Sequence, residues 1–521
     1  MSCHFAEYPV PKGVERPMDS GGRSVLALTV LSALAQIINF SYRVVMARMV
    51  GAEVMGLYQL VMSAYAVIQA ITTIGLTSAV SNLTARYLAL NDRAGADRLR
   101  GTCLGLFFCL MLPVGTVTIL GSDAISVHLL GDARTQLGLI LLIPCLTLTA
   151  VENLHKNAFY GAGIPLPPAA AEVWEQLVRA GAVLGLLHLF LPQYPERAVG
   201  VVMWGMILCE VSSAVTLWTL YHQYFRVNRT YSPGESLRQQ MGRIAAIALP
   251  VGANALLGNF LGAANSALVP RQLVRSGMER GLAVSKLGVV CGMTMPMLAL
   301  PTVYLGALNL VMMPRLARAS ALGEKNEIRA LISRGMERVC LLTLPCMTAM
   351  VVLGEELGQL LYGRSDVGEF LLPLAAAMGI NCCVSVLATA LNSIGSQKVV
   401  ACISLAGGGV QVAFTFLFTG LPGVEMGGFV AGVVLSAALE LFLCLAVVVR
   451  ATGLRVTACK WLLAPGLSSL LAGLNGRLLL SVLKTASLPS PLAAGTVLLF
   501  GLGQYLTLLW LLRPSRHKKI E

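Results

Sequence analysis

The sequence predicts an all-α protein that crosses a membrane many times, and three observations support this prediction. Only 12% of the 521 residues are charged, about half the share of a typical soluble domain. Apolar runs of about 20 residues, long enough to span a bilayer as a helix, recur along almost the whole chain. These runs lack the strict alternation that marks the strands of a membrane barrel. The composition therefore excludes an ordinary soluble protein and a disordered one.

About fourteen membrane-spanning helices are expected, with no separate soluble domain between them. Residues 1–22 lack the apolar core of a signal peptide, so the first span is expected to be an uncleaved anchor. The spans are predicted near residues 24–46, 57–77, 101–121, 137–158, 169–191, 198–220, 243–265, 284–312, 336–354, 367–391, 398–419, 427–449, 460–483 and 491–512.

The positions of the basic residues predict that both termini lie in the cytoplasm. Lysine and arginine concentrate in the loops after spans two, six and eight and in the C-terminal tail. Such basic loops face the cytoplasm in most membrane proteins. We therefore attribute the net charge of +13 to loops that set the topology and not to nucleic-acid binding. The loop after span seven breaks the pattern, because it is basic and is placed outside.

The chain also repeats itself with a constant shift in residue number. Pro113 and Pro345 both lie within spans, their positions differ by 232 (345 − 113), and the same shift relates residues of the polar loops. We call this difference the repeat shift. Six spans fit into it, which predicts two bundles in the same orientation, related by an axis along the membrane normal. The predicted units are a cytoplasmic segment at 1–22, six-helix bundles at 23–242 and 243–456, two further helices at 457–512, and a basic cytoplasmic tail at 513–521.

Three stretches of the sequence resemble the stage V sporulation protein B family. Members of that family are polysaccharide biosynthesis proteins of the multidrug/oligosaccharidyl-lipid/polysaccharide (MOP) flippase superfamily. The most specific is YRVVMARMVGAEVMGLYQL at Tyr42–Leu60. The others are MPRLARASALGEKNEIRALISRGM at 313–336 and LNSIGSQKVVACISLAGGGVQV at 391–412. The resemblance implies two six-helix bundles plus two helices, which agrees with the repeat.

The same resemblance implies that the protein flips a lipid-linked saccharide precursor, of the lipid II kind or a polysaccharide unit on an undecaprenyl carrier. The expected partners are this saccharide pyrophosphate, membrane lipids, a coupling proton or sodium ion, and wall-synthesis enzymes. The expected location is the bacterial cytoplasmic membrane. The chain departs from the related lipid II flippases, which share several cavity arginines: Arg43 matches the one in the first span, but spans two and eight contain none.

Five arginines are the candidate substrate-binding residues. Guanidinium groups bind phosphates bidentately, and a pyrophosphate needs paired cations. The repeat shift pairs Arg43 with Arg275 and Arg48 with Arg280, and Arg271 lies beside them. The alternative is that these side chains reach to lipid headgroups at the ends of the helices.

Acidic residues within spans five and six are the candidate ion-coupling residues. Glu172, Glu175 and Arg179 fall on one helical face, and Glu210 lies in the next span. Charges inside a span often mark a transport pathway, although an ion pair that only fixes helix packing is the alternative. Glu152, His155 and Lys156 are interpreted as the cytoplasmic end of span four, and no metal or cofactor site is expected.

These features predict a secondary transporter and not an enzyme. No GxxxxGK[ST] motif for nucleotide binding is present. One alternative is a cation-coupled multidrug exporter of the same superfamily, although the first span lacks the acidic residue that such exporters share. A membrane glycosyltransferase or ligase, or a scaffold for wall-synthesis enzymes, are further alternatives.

Overall fold

A computed structural model describes residues 20–90, 92–225, 236–455, 459–486 and 489–512. Within these ranges the chain is helical and contains no strand. Thirteen helices are long and apolar enough to cross a membrane. The predicted fold class, an all-α polytopic membrane protein, is therefore confirmed. Residues 1–19 of the N-terminal segment, residues 226–235 of the loop after span six and the basic tail at 513–521 lie outside the described residues.

The first helix, α1 (Ser20–Gln69), contains the first predicted span and more than half of the second. Its 50 residues would reach about 75 Å at 1.5 Å per residue, more than twice the roughly 30 Å core of a bilayer. The helix breaks at Gly51, whose φ of 79° and ψ of 173° are open only to glycine. Counting the two parts separately gives fourteen apolar segments, the number that the sequence predicts.

The remaining long helices follow in chain order. They are α2 (Gly75–Ala89), α3 (Arg93–Leu120), α4 (Gln136–Gly161), α5 (Leu166–Phe190), α6 (Ala198–Tyr224), α7 (Leu237–Arg275), α8 (Arg280–Leu287), α9 (Tyr304–Ala321), α10 (Lys325–Val352), α11 (Gly354–Tyr362), α12 (Leu371–Ser393), α13 (Gln397–Phe418), α14 (Met426–Thr452), α15 (Ala464–Thr485) and α16 (Ser490–Leu512). Short helical pieces connect them at Ala70–Ile74, Ser122–Ala124, Ile125–Leu130, Ala133–Thr135, Pro195–Arg197, Gly288–Thr294, Met295–Ala299, Leu300–Thr302, Asp366–Gly368 and Cys459–Leu463.

The bounds of these helices reproduce the repeat. Helices α3 and α10 each have 28 residues, and each contains a proline. Their first residues, Arg93 and Lys325, are related by the repeat shift. The turns after them match as well, because Gly131 and Gly363 both have positive φ. Helix α13 corresponds to α5 but has 22 residues where α5 has 25. The difference in residue number between the next pair of helices, α6 and α14, is therefore smaller than the repeat shift. The predicted boundary at residue 243 falls inside α7, which begins at Leu237.

The interior of the first half lies around α4 and α6. Leu142, Leu146, Met203 and Leu217 are completely buried there. Helices α15 and α16 pack against each other, and α15 also packs against α10. The last two helices therefore lie at the side of the second half.

We expect single cysteines to confirm the predicted topology. In a cysteine-free background, Ser276→Cys follows α7 and Leu322→Cys follows α9, at opposite ends of the spans. A membrane-impermeant maleimide should label position 276 in intact cells and position 322 only after permeabilisation. Labelling in the reverse order would invert the topology.

Candidate functional site

Two helices meet in backbone contact on one face of the molecule. The part of α1 after Gly51 crosses the segment formed by α8 and the turn that follows it. A methyl group added at Gly56 would overlap the carbonyl oxygen of Val284, and one added at Gly288 would overlap the carbonyl oxygen of Ala52. The repeat shift relates the two glycines to each other and the two carbonyl residues to each other. The crossing is therefore a two-fold contact that brings the two repeats together on this side of the molecule, which we call the closed face.

Two arginines add hydrogen bonds between the repeats on the same face. Arg48 Nη2 donates to the carbonyl oxygen of Leu360 at 2.5 Å, and Arg271 Nη2 donates to the carbonyl oxygen of His128. The two acceptor residues are related by the repeat shift. By these contacts the counterpart of Arg48 is Arg271, so the pairing of Arg48 with Arg280 expected from the shift is wrong.

The difference has a local cause in the two helix ends. Arg48 lies three residues before Gly51, whereas Arg271 lies six residues before Gly277, and both glycines have positive φ. The end of α7 is thus longer than the matching part of α1. A constant shift cannot align the first helices of the two repeats.

The other three candidate arginines are not engaged in this way. Arg43 is half-buried in α1, while Arg275 and Arg280 are exposed at the end of α7 and the start of α8. Within the described residues none of the three makes a hydrogen bond or ion pair. Burial raises the pKa of Tyr362 to about 12, and the nearby Arg43 guanidinium opposes this shift. Arg43 thus faces the second repeat close to the contact that closes the face.

A cavity of about 330 Å³ adjoins this contact. Its wall includes Arg271 and Arg280 from the second repeat and Asp132 from the first. Burial alone would raise the pKa of Asp132, but hydrogen bonds from Arg134 hold it below its usual value. The cavity therefore has two basic residues, Arg271 and Arg280, on one side. On the other side the negative charge of Asp132 is balanced by Arg134.

Each repeat also carries its own ion pairs on this face, with the charges exchanged. Arg134 pairs with Asp132 at 2.8 Å and with Glu53 at 2.7 Å in the first repeat. In the second repeat Asp366 pairs with Arg364, and Lys286 pairs with Glu369 at 2.7 Å. These pairs were not among the residues predicted from the sequence. The sequence did contain a signal for them. The repeat shift relates positions 132 and 134 to positions 364 and 366, and the acidic and basic residues are exchanged between the two pairs.

A second group of charges is buried between α4, α5 and α6. Glu175 lies at its centre, with Arg179 Nη2 on one carboxylate oxygen and Lys156 Nζ at 2.9 Å from the other. Lys156 also contacts Glu152, and Arg179 Nη2 lies 3.3 Å from Glu210 Oε1. The three carboxylate residues are 2%, 6% and 3% exposed in chain order. We call these five residues the buried cluster.

The buried cluster brings together some of the residues predicted from the sequence and leaves out another. Glu175, Arg179 and Glu210 come together as that prediction requires, but Glu172 makes no ion pair among the described residues. Glu152 and Lys156, interpreted from the sequence as the end of span four, are members of the cluster, and α4 continues past them to Gly161. Their position close to the predicted span end concealed them, since only the packing of three helices reveals that they are buried.

The charges of the buried cluster do not balance. Three carboxylates surround two cations, and one oxygen of each carboxylate lies within 4.8 Å of the others. Glu210 Oε2 has no hydrogen bond among the described residues. One negative charge therefore remains for a small cation or a proton to neutralise.

These features define the class of the protein as an integral membrane protein with the fold of the MOP-superfamily transporters. The structure matches the "Lipid II flippase MurJ, inward closed conformation" with a TM-score of 0.65 and 10% identity, covering 93% of this chain and 98% of that one. It matches the "inward-facing conformation of a multidrug resistance MATE family transporter" with a TM-score of 0.63 and 14% identity, covering 82% of this chain and 100% of that one.

The chain belongs to the polysaccharide biosynthesis protein family, whose profile matches residues 22–320. Residues 297–463 match the profile of the family "Lipid II flippase MurJ". The chain is also 23% identical to stage V sporulation protein B of Bacillus subtilis (strain 168) over 357 residues, which are 68% of this chain and 69% of that one. The resemblance read from the sequence is thus confirmed.

Enlarging a glycine at the crossing should destabilise the closed face. We expect Gly288→Ala to lower the free energy of unfolding by about 1–3 kcal/mol, the usual cost of overpacking. The control is Gly105→Ala in α3, where an added methyl group meets no neighbour; alanine should be neutral or slightly stabilising there. The measurement is thermal unfolding of the purified proteins, and equal midpoints for the two variants would show that the helices are not in close contact.

Removing the central carboxylate of the buried cluster should be costly. Glu175→Gln removes the carboxylate that joins Lys156 to Arg179 and leaves each cation with one partner, Glu152 and Glu210 respectively. Each buried hydrogen bond to a charged group that is lost costs about 1.5–3 kcal/mol. Glu172→Gln is the matched control on the same helix, because Glu172 lies outside the cluster. Detergent-solubilised yield and thermal stability should fall for the first variant only; a similar fall in both would place the stabilising charge elsewhere.

Proposed function

We propose that the protein is a secondary transporter that flips a lipid-linked saccharide precursor across the cytoplasmic membrane. The cargo would be lipid II-like or a polysaccharide repeat unit on an undecaprenyl carrier, for synthesis of cell wall, spore cortex or polysaccharide. Family membership and fold support a lipid-linked cargo. The observation that carries the proposal is the two-fold contact of the repeats at Gly56 and Gly288.

A contact of this kind suits alternating access. It joins two similar units by a glycine crossing and by two arginine–carbonyl hydrogen bonds. The ion pairs Arg134–Glu53 and Lys286–Glu369 each lie within one repeat. The repeats can therefore separate on this face while each keeps its own ion pairs. Opening of this face would alternate with closing of the opposite one.

The arginines supply the affinity for a pyrophosphate in this scheme. Arg43, Arg275 and Arg280 make no hydrogen bond or ion pair among the described residues, so each guanidinium can bind an anion. Arg48 and Arg271 donate to carbonyl groups of the opposite repeat, so they lose these acceptors when the face opens. The freed guanidinium groups would then bind the headgroup on its way out. Opening of this face would thus make the positive charges of Arg48 and Arg271 available to the headgroup.

The buried cluster is the proposed site of ion coupling, and the structure favours Glu210 as the group that takes up the proton or sodium ion. Glu175 already binds both cations, whereas Glu210 has an oxygen without a hydrogen bond. Each carboxylate of the cluster already contacts Lys156 or Arg179. A cationic drug would have to displace these side chains, which favours the flippase over the multidrug exporter. The reaction breaks no covalent bond, so the proposal describes a transporter and not an enzyme.

Flipping in liposomes tests the proposed function. Purified protein is reconstituted with fluorescent lipid II, and movement between leaflets is followed by loss of quencher access. Changing one charge-assisted phosphate contact costs about 1.5–3 kcal/mol, which corresponds to roughly 10- to 150-fold in affinity. Arg43→Ala should weaken lipid II binding by this factor, and Arg43→Lys should restore only part, because lysine lacks the bidentate fork.

The control is Arg334→Ala in α10, whose exposed side chain donates, among the described residues, only to the carbonyl oxygen of Ala330 in its own helix. It should flip lipid II like the unmodified protein. Absence of lipid II movement with the unmodified protein would contradict a lipid II-like cargo. Unchanged binding by Arg43→Ala would make this arginine an anchor to lipid headgroups.

A gradient experiment tests the coupling. Glu210→Gln removes the surplus charge without orphaning Lys156 or Arg179 completely, so the protein should fold. Flipping by this variant should no longer respond to a proton or sodium gradient. A response equal to that of the unmodified protein would give the buried cluster a purely structural role.

A further inference from the structure

A second cavity, of about 500 Å³, lies between α11 and α15. It opens on the same face as the closed contact, but its lining includes none of the five candidate arginines and no residue of the buried cluster. One wall is formed by the first turn of α11 and the turn after it, and the other by the last turns of α15. Both walls are charged.

The α15 wall presents a stripe of polar side chains. Arg477, Ser481 and Lys484 are spaced by four and three residues, so they lie on one helical face, and all three line the cavity. Lys484 Nζ contacts Glu356 and lies 3.8 Å from Glu355. Arg477 makes no hydrogen bond or ion pair within the part of the chain that the structure describes.

The position of Arg477 makes this lack of a partner informative. It lies eight residues before the end of α15, about 12 Å along the helix. Neighbouring Leu474 and Leu478 are 54% and 66% exposed on the outside of the helix. Charges within membrane spans are rare and almost always paired. An anion that the chain itself does not supply is therefore expected at Arg477.

The opposite wall supplies a carboxylate. Glu356 is buried and held by Lys484, and Glu369 is paired with Lys286. The side chain of Glu355 is 67% exposed, and its only described ion pair is the long one to Lys484. The cavity thus offers a free guanidinium on the membrane-spanning side and a weakly paired carboxylate on the water-facing side.

We propose that this cavity binds the headgroup of an aminophospholipid, with the phosphate on Arg477 and the primary ammonium near Glu355. Guanidinium suits a phosphate, and a primary ammonium has three protons to donate where a trimethylammonium has none. The exposed leucines of α15 accommodate the acyl chains. A lipid is favoured over a soluble phosphate because Arg477 lies within a span. The site is independent of the transported cargo.

Native mass spectrometry of the full chain with added lipids tests this proposal. The unmodified protein should retain phosphatidylethanolamine in preference to phosphatidylcholine and phosphatidylglycerol. Arg477→Ala should weaken phosphatidylethanolamine binding about tenfold, the loss expected for one charge-assisted contact, and Arg477→Lys should keep part of it. Glu355→Gln should abolish the preference over phosphatidylglycerol while leaving phosphatidylglycerol bound as before.

The control is Arg197→Ala, an exposed arginine on the same face that stacks on Tyr194 away from this cavity. It should bind lipids like the unmodified protein. If Arg477→Ala also binds lipids like the unmodified protein, the side chain of Arg477 only extends to the membrane surface, and the proposal fails. Soluble phosphoethanolamine is the last arm: competition with an affinity equal to that of the lipid would overturn a lipid site in favour of a soluble phosphate.

Discussion

The structure depends on one constraint, which is that the two repeats touch backbone to backbone on one face. Gly56 and Gly288 each face a carbonyl oxygen of the other repeat, and any side chain would keep the helices apart. All other interactions between the repeats on this face follow from that approach. Only with the helices this close do Arg48 and Arg271 reach carbonyl groups across the interface. The break at Gly51 is part of the same constraint, because it lets α1 turn back towards the second repeat.

The charges of the protein separate into two kinds. On the closed face, Glu53, Asp366 and their partners are partly exposed and tie each repeat to its own loops. Exposed ion pairs of this kind contribute little free energy, so their role is to fix the loops. In the interior, the buried cluster joins α4, α5 and α6, its carboxylates are almost completely buried, and breaking it is expensive. The first repeat is therefore held internally by charge. Its described contacts with the second repeat are close packing and hydrogen bonds, which include Asn259 Nδ2 donating to the carbonyl oxygen of Ala66 and Thr102 Oγ1 donating to Gln240 Oε1. That contrast makes a rigid-body movement between the repeats physically reasonable.

Much of the fold could be predicted from the sequence, because a membrane demands long apolar helices and a repeat leaves matching prolines and glycines. The candidate functional site was harder to predict from the sequence. The constant shift paired Arg48 with Arg280, but the end of α7 is longer than its counterpart and the contact belongs to Arg271. Helical spacing placed Glu172 beside Glu175, yet burial depends on neighbouring helices and excludes Glu172. Glu152 and Lys156 looked like a helix end because polar residues usually mark one. Only the packing of three helices shows that they complete the cluster.

The central claim is that the contact of the two repeats is a gate that opens during transport. Pulsed electron paramagnetic resonance between spin labels at positions 129 and 274 measures it directly, since these positions flank the Arg271–His128 contact on the two repeats. Without cargo, in liposomes, the account predicts one short distance. With lipid-linked saccharide present it predicts a second, longer distance. A single unchanged short distance during active flipping would contradict the account.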